Sequence, residues 1–124
     1  MKLNEPGINP LSGDFVKGNT GGTAITDATA HTVLTNPTTD RKVVLTGITI
    51  TNKSASVSTV VQIQDSVSHA VLYEVDAEKE GGGVNKNMFP AVGIPTAKGS
   101  SVDVKCITTG AEVYVSLEGF TAEV

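Results

Sequence analysis

The sequence predicts an all-β protein: a β-sandwich of jelly-roll type with an extended N-terminal arm. Val, Ile and Thr are abundant along its 124 residues, and these residue types favour strands. Glycine (13 residues) and proline (5 residues) interrupt the chain at short intervals, as they do in turns between short strands. Apolar and polar residues alternate in several runs, which is the pattern of strands with one buried face. We assign residues 1–20 to the arm and residues 21–124 to one sandwich domain, because a chain of this length suits a single core.

Strands are predicted, in chain order, at residues 43–51, 58–64, 70–76, 84–89, 101–107 and 112–118. The polar loop at 52–57 predicts a hairpin between the first two, and the turn at 108–111 predicts a second hairpin between the last two. The glycine-rich stretch 77–83 predicts a break. The residues that the alternation turns inward form the predicted core: Ile48, Ile50, Val61, Ile63, Val102, Val104, Val113, Val115 and Leu117.

The N-terminal segment differs from the rest of the chain. Its prolines and glycines, among them Pro6, Pro10 and Gly18, predict that residues 1–20 form no strand. An inert tail would not need regularly supplied apolar side chains, so we predict that these residues contact a partner: Leu3, Ile8, Leu11, Phe15 and Val16. Two alternatives remain, in which the arm packs on its own sandwich or on another subunit. In the second, the chain from residue 21 onward folds without the arm.

Charge and cysteine content exclude several classes of function. The formal charge is −4, and the Lys and Arg residues are scattered, so we expect no nucleic-acid partner. No segment has the length of apolar sequence that a membrane span or a signal peptide needs, so we expect no membrane contact. Cys106 is the only cysteine, and packing rather than a disulfide must hold the fold, which favours folding inside a cell.

No group of residues predicts catalysis or metal binding. His31 and His69 lack partners at metal-ligand spacing, and the acidic residues at 76, 78 and 80 lack the pattern of a calcium loop. Cys106 lies on the inward face of a strand and is expected to be an unreactive core residue. The glycosylation sequon at 52–54 is interpreted as loop sequence. We therefore expect no enzyme activity, no cofactor, no catalytic residue and no metal ligand.

Three parts of the sequence together resemble a family. They are the arm with its spaced apolar residues, the threonine-rich stretch TAITDATAHTVLTNPTTDRKVVLTGITITN (23–52) and the closing EVYVSLEGF (112–120). With these features the chain resembles bacteriophage capsid decoration (cement) proteins and related small β-sandwich phage head proteins. The resemblance implies a homotrimer on the outer capsid surface that binds the major capsid protein and braces the shell. It also implies localisation in the virion after synthesis in the host cytoplasm. The arm would then hold the chain to its partner.

A second interpretation stays open, namely a head-fibre or tail-tip module that binds a glycan or protein of the host surface. An exposed cluster of the aromatic residues Tyr73, Phe89 and Tyr114 would support it. Trp is absent and aromatic residues are only 4% of the chain, which argues against a carbohydrate-binding surface of stacked aromatic rings.

Overall fold

The computed structural model describes residues 13–88 and 93–124, and these residues form nine strands in two antiparallel sheets. The strands are β1 (Phe15–Asn19), β2 (Ala30–Leu34), β3 (Arg41–Asn52), β4 (Thr59–Asp65), β5 (Val71–Ala77), β6 (Gly82–Asn87), β7 (Ile94–Pro95), β8 (Val102–Cys106) and β9 (Val113–Glu123). Sheet A has the order β1-β9-β3-β6, with β7 pairing with β3 beside β6, and sheet B has the order β2-β8-β4-β5. The predicted β-sandwich is confirmed.

The strand pairing is that of a jelly roll. The early strands pair with the late ones in reverse order, β1 with β9, β2 with β8, β3 with β6 and β4 with β5. The chain therefore has the connectivity of one long antiparallel hairpin folded over on itself, which places β1 to β4 alternately in sheet A and sheet B.

Both predicted hairpins are wrong. The strands β3 and β9 lie in sheet A, whereas β4 and β8 lie in sheet B, so the loops 53–58 and 107–112 cross from one sheet to the other. The alternation of apolar residues determines which side chains face the core, but it carries no information about which strand supplies the hydrogen bonds. Of the consecutive strands in the described ranges, only β4 and β5 pair directly with each other.

The predicted core is confirmed, because every residue named for it is at most 2% exposed. Cys106 is fully buried among these residues, as expected. A β-bulge between Leu45 and Gly47 keeps the long strand β3 in phase with the core. Leu45 points inward before the bulge and Ile48 points inward after it, because the bulge adds one unpaired residue to the strand.

The prediction that residues 1–20 contain no strand is wrong for residues 15–19. These residues form β1 and pair with β9 in register, from Phe15 opposite Phe120 to Asn19 opposite Ser116. Gly18 is needed inside this strand, because a Cβ atom there would lie 1.9 Å from the carbonyl oxygen of Val33. The glycine that indicated a break in the sequence therefore allows a close approach to β2.

Three further differences concern short strands. The strands predicted from the sequence do not include β2, which carries a β-bulge between Thr32 and Leu34, or the two-residue β7. The strand β6 begins at Gly82, inside the predicted break, because the turn itself needs only the positive φ angles of Glu80 and Gly81.

Candidate protein-contact surface

An apolar row crosses the outer face of sheet A. Phe15 lies opposite Phe120, Phe120 opposite Val44, and Val44 opposite Pro95, so one residue from each of β1, β9, β3 and β7 faces the same way. We call these four residues the aromatic row. The rings of Phe15 and Phe120 meet edge to face, with their centroids 5.4 Å apart.

The aromatic row lies outside the core of the sandwich. Phe15 is 51% exposed and Pro95 is also exposed. Val44 is buried without belonging to the core cluster, since the Gly93 backbone lies over it: a Cβ atom on Gly93 would be 2.6 Å from Val44 Cγ1. The row is therefore a surface feature at the end of the sheet where β1 and β3 begin and β9 ends.

The outer face of sheet B is mostly polar instead, although Val60 and Val71 also lie on it. Gln62 donates a hydrogen bond to Glu74 (2.9 Å) and accepts one from Gln64 (3.0 Å). Thr32 donates to Asp103 at 2.7 Å. Polar side chains that hydrogen-bond to one another in this way are typical of a surface in contact with water. The outer face of sheet B therefore differs in polarity from the aromatic row on the outer face of sheet A.

A second exposed apolar site lies on the turn between β4 and β5. Val67 is 71% exposed and Val71, the first residue of β5, is 48% exposed. The turn is fixed by Asp65, whose Oδ1 accepts hydrogen bonds from the amides of Val67 (2.9 Å) and Ser68 (3.1 Å). We call Val67 and Val71 the valine turn.

Asp65 also joins the valine turn to the segment before β8. Its Oδ2 accepts a hydrogen bond from the amide of Ala97 at 2.9 Å. Burial by itself would raise the pKa of this carboxyl group, but three backbone amides and the Ser100 hydroxyl donate to the carboxylate and hold its pKa at about 2. Asp65 is therefore ionised at neutral pH, the state in which both carboxylate oxygens accept these hydrogen bonds.

At the opposite end of the sandwich, Asn52 connects the loops. Its side chain is fully buried; its Nδ2 donates to the carbonyls of Val57 (2.8 Å) and Ala77 (2.9 Å). Its Oδ1 accepts from the amides of Ser54 (3.0 Å) and Glu112 (3.2 Å). A buried side chain with these bonds is closed to a glycan, so the sequon at 52–54 is a structural feature.

The candidates for chemistry stay apart in the structure. His31 Nε2 lies 2.7 Å from Asp27 Oδ1 on the surface, a contact that the sequence analysis missed. Hydrogen bonds from His31 and Thr29 lower the pKa of Asp27 to about 2. Burial, and then the charge of Asp27, raise the pKa of the Cys106 thiol to about 11.

Within residues 13–88 and 93–124, no three His, Cys, Asp or Glu side chains are grouped as metal ligands. In the same residues, no helix is long and apolar enough to cross a membrane.

The aromatic cluster that would support glycan binding is not formed by the two tyrosines that the structure describes. Tyr73 lies on β5 of sheet B and packs against the core, whereas Tyr114 lies on β9 of sheet A beneath the ammonium group of Lys53, 5.0 Å from the ring centroid. Phe89 lies outside the described residues. Among the described residues, an aromatic contact is formed instead by Phe15, which is exposed, and Phe120, which is half-buried.

Two of the predicted arm residues are described, and they take different positions. Val16 is buried in the core of its own chain, so its predicted contact with a partner is corrected: an inward position on β1 uses this side chain internally. Phe15 points outward on the same strand and forms one end of the aromatic row. Leu3, Ile8 and Leu11 lie outside the described residues, and their contact with a partner stays a prediction.

No protein-family model matches the chain, and no curated protein matches it. Among solved structures, the chain is similar to a chain of the cyanophage Pam1 capsid asymmetric unit. That similarity has 16% sequence identity and a TM-score of 0.48, and it covers 88% of this chain and 84% of that chain.

Proposed function

We propose that this chain is a structural protein of a virus particle, a capsid decoration protein that binds the outer surface of the shell and stabilises it. The aromatic row carries the proposal. A row of aromatic and apolar side chains on the outside of a sheet, exposed here at Phe15 and Pro95, is typical of a protein that packs on other proteins. The resemblance of the sequence to phage decoration proteins supplies the class of particle.

The proposed partners are the major capsid protein and further copies of this chain, in a homotrimer. The segment that would reach the shell starts beside the aromatic row, because the Thr121 amide donates a hydrogen bond to the Asp14 carbonyl at 2.9 Å. Leu3, Ile8 and Leu11 precede this point and are the proposed contacts with the major capsid protein. The role requires neither catalysis nor a cofactor, and we propose neither.

Co-sedimentation with capsid shells that lack this chain tests the proposal. We expect the full chain to bind the shells saturably and to raise the temperature at which they break open. Deletion of residues 1–12 should lower binding at least tenfold without unfolding the domain, since β1 and its pairing with β9 are retained. Phe15→Ser should also weaken binding, because it removes an exposed aromatic side chain from the row.

Lys105→Ser is the matched control. Lys105 lies opposite Gln62 on the polar outer face of sheet B, so its replacement should leave shell binding unchanged. A full chain that stays in the supernatant at every shell concentration would contradict the proposed function.

A further inference from the structure

We propose that β1 is an exchangeable strand, which leaves β9 of its own chain and pairs in the same register with β9 of a second copy. The inference rests on the proposed function for one expectation, that copies of the chain lie side by side. It adds the means by which the copies are joined, a mutual exchange of their N-terminal strands.

The strand β1 lies at the edge of sheet A and contributes little to the core of its own chain. Its five residues pair with β9. Val16 is the one residue of β1 that is buried. Release of such a strand exposes less apolar surface than release of a central strand, so it has a lower free-energy cost.

The place that β1 occupies selects a strand with the side chains of β1. A Cβ atom at position 18 would lie 1.9 Å from the carbonyl oxygen of Val33, so this position requires glycine. Two positions earlier, the strand buries the apolar side chain of Val16. On the outer face, Phe15 packs edge to face on Phe120. A second copy of the chain supplies this combination in the correct register, which identifies it as the occupant.

The connection after β1 contains surplus chain. The pairing of β1 with β9 ends at Asn19 opposite Ser116, three positions from Val113 on β9. The bridge partner of Val113 is Ile25, six positions beyond Asn19. The connection is therefore three residues longer than a continuous antiparallel ladder needs. We call residues 20–25 the hinge, because surplus residues can straighten when the strand moves.

The hinge is closed by a turn that glycine permits. Gly21 has a φ of +64°. Among the described residues, nothing except its chain neighbours comes within 4 Å of a Cβ atom built on Gly22. The hydrogen bond across the turn, from the Thr23 amide to the Thr20 carbonyl, is long at 3.3 Å. Straightened, the hinge spans about 17 Å, more than the roughly 10 Å between two packed sheets.

Exchange preserves the contacts of β1, since each is remade with the identical β9 of the other copy. The balance between the exchanged form and the closed form, in which β1 pairs with its own β9, therefore depends on the hinge turn and on the concentration of chains. A short tether gives an effective concentration in the millimolar range, so exchange is favoured where copies are crowded at a comparable concentration.

Disulfide cross-links between β1 and β9 distinguish the two forms. Lys17 and Glu118 lie directly opposite each other, and both are exposed. Chains with Lys17→Cys and chains with Glu118→Cys carry different tags, are refolded together from urea at millimolar concentration and are then oxidised. The native Cys106 is fully buried in the folded chain and does not compete. The exchanged form places the two new cysteines opposite each other, whereas the closed form keeps them on separate molecules.

A mixture of Gln62→Cys and Lys105→Cys chains is the matched control. Gln62 and Lys105 lie opposite each other on β4 and β8, two central strands of sheet B that the exchange leaves in place. Mixed disulfides between the β1 and β9 cysteines should exceed those of the control mixture at least tenfold. Equal yields from the two mixtures would overturn the proposal.

Gly21→Ala, introduced into both the Lys17→Cys and the Glu118→Cys chains, tests the hinge. A side chain is disfavoured at a positive φ, so the variant destabilises the closed turn and leaves the straightened hinge unaffected. At a dilution where the parent mixture gives little mixed disulfide, we expect the yield to rise about fivefold. Gly81→Ala is the control, because Gly81 has a φ of +99° in a turn outside the hinge and should leave the yield unchanged. An unchanged yield with Gly21→Ala would contradict the proposal.

Shell binding separates this inference from the proposed function. Chains that exchange as expected but do not bind shells would contradict the decoration role alone. Chains that bind shells but give no excess of mixed disulfide would contradict only the exchange.

Discussion

Replacement of Asn52 by alanine should destabilise the fold more than any other single polar substitution at its end of the sandwich. The substitution leaves the carbonyls of Val57 and Ala77 and the amides of Ser54 and Glu112 without the partner that they have now. The bonds to Ala77 and Ser54 are buried, and each buried polar group without a partner costs about 1–3 kcal/mol. The bonds to Val57 and Glu112 are part-buried, so water can replace the lost partner there. Counting the two buried groups at about 2 kcal/mol each, we expect a loss of about 4 kcal/mol in the free energy of unfolding.

The assay is urea unfolding followed by far-ultraviolet circular dichroism. A loss of about 4 kcal/mol is a large share of the roughly 5–15 kcal/mol that stabilises a typical domain, so the midpoint should shift clearly. Asn85→Ala is the control, because Asn85 is exposed on β6 and its contact with Thr49 is a long 3.4 Å. The control should change stability by less than about 0.5 kcal/mol. Equal unfolding midpoints for the two variants would refute the reasoning.

Four further predictions follow from the same structure. The buried Asp65 has a lower pKa in the folded chain than its ordinary 3.8, so it stabilises the fold above about pH 4; this contribution, about 2 kcal/mol, should vanish as pH falls towards 2. Melting temperatures should show that loss in the wild type and much less of it in Asp65→Asn. Val115→Asp should abolish folding as judged by circular dichroism, because it buries an unpaired carboxylate, whereas Val115→Ala should still fold cooperatively. Cys106 should resist iodoacetamide in the native protein and react after denaturation in urea; labelling at the native rate of a free thiol would show that it is accessible. Deletion of residues 1–12 should leave the melting temperature nearly unchanged, but deletion of residues 1–20 should lower it, because the longer deletion removes β1; equal melting temperatures would show that β1 adds no stability.

The sequence predicted the strands of the core well because a half-buried strand must alternate apolar and polar residues. Val113, Val115 and Leu117 illustrate this: the alternation that indicated their strand also indicated their burial. Extending the same alternation two residues further would have placed Phe120 on the outer face of β9. The aromatic row could therefore have been anticipated in part, had the predicted strand not ended at residue 118.

Other features had no such signal. The pairing of strands depends on contacts between distant parts of the chain, as between Phe15 and Phe120, and local periodicity does not contain them. Gly18 indicates a break when only the local sequence is read. The structure requires glycine there because the Val33 carbonyl comes close to it, and Val33 belongs to another strand. Asp65 and Asn52 resembled ordinary loop residues, since their hydrogen-bond partners lie up to 60 positions away in the chain.

A cryo-electron microscopy reconstruction of the virus particle, with this chain present, tests the central claim most directly. The proposed function predicts jelly-roll density on the outer surface of the shell, with the outer face of sheet A against neighbouring protein and the polar face of sheet B towards solvent. Density for the chain inside the shell, or a particle that contains none of it, would contradict the decoration role. Density outside the shell with the aromatic row facing solvent would contradict the assigned contact surface.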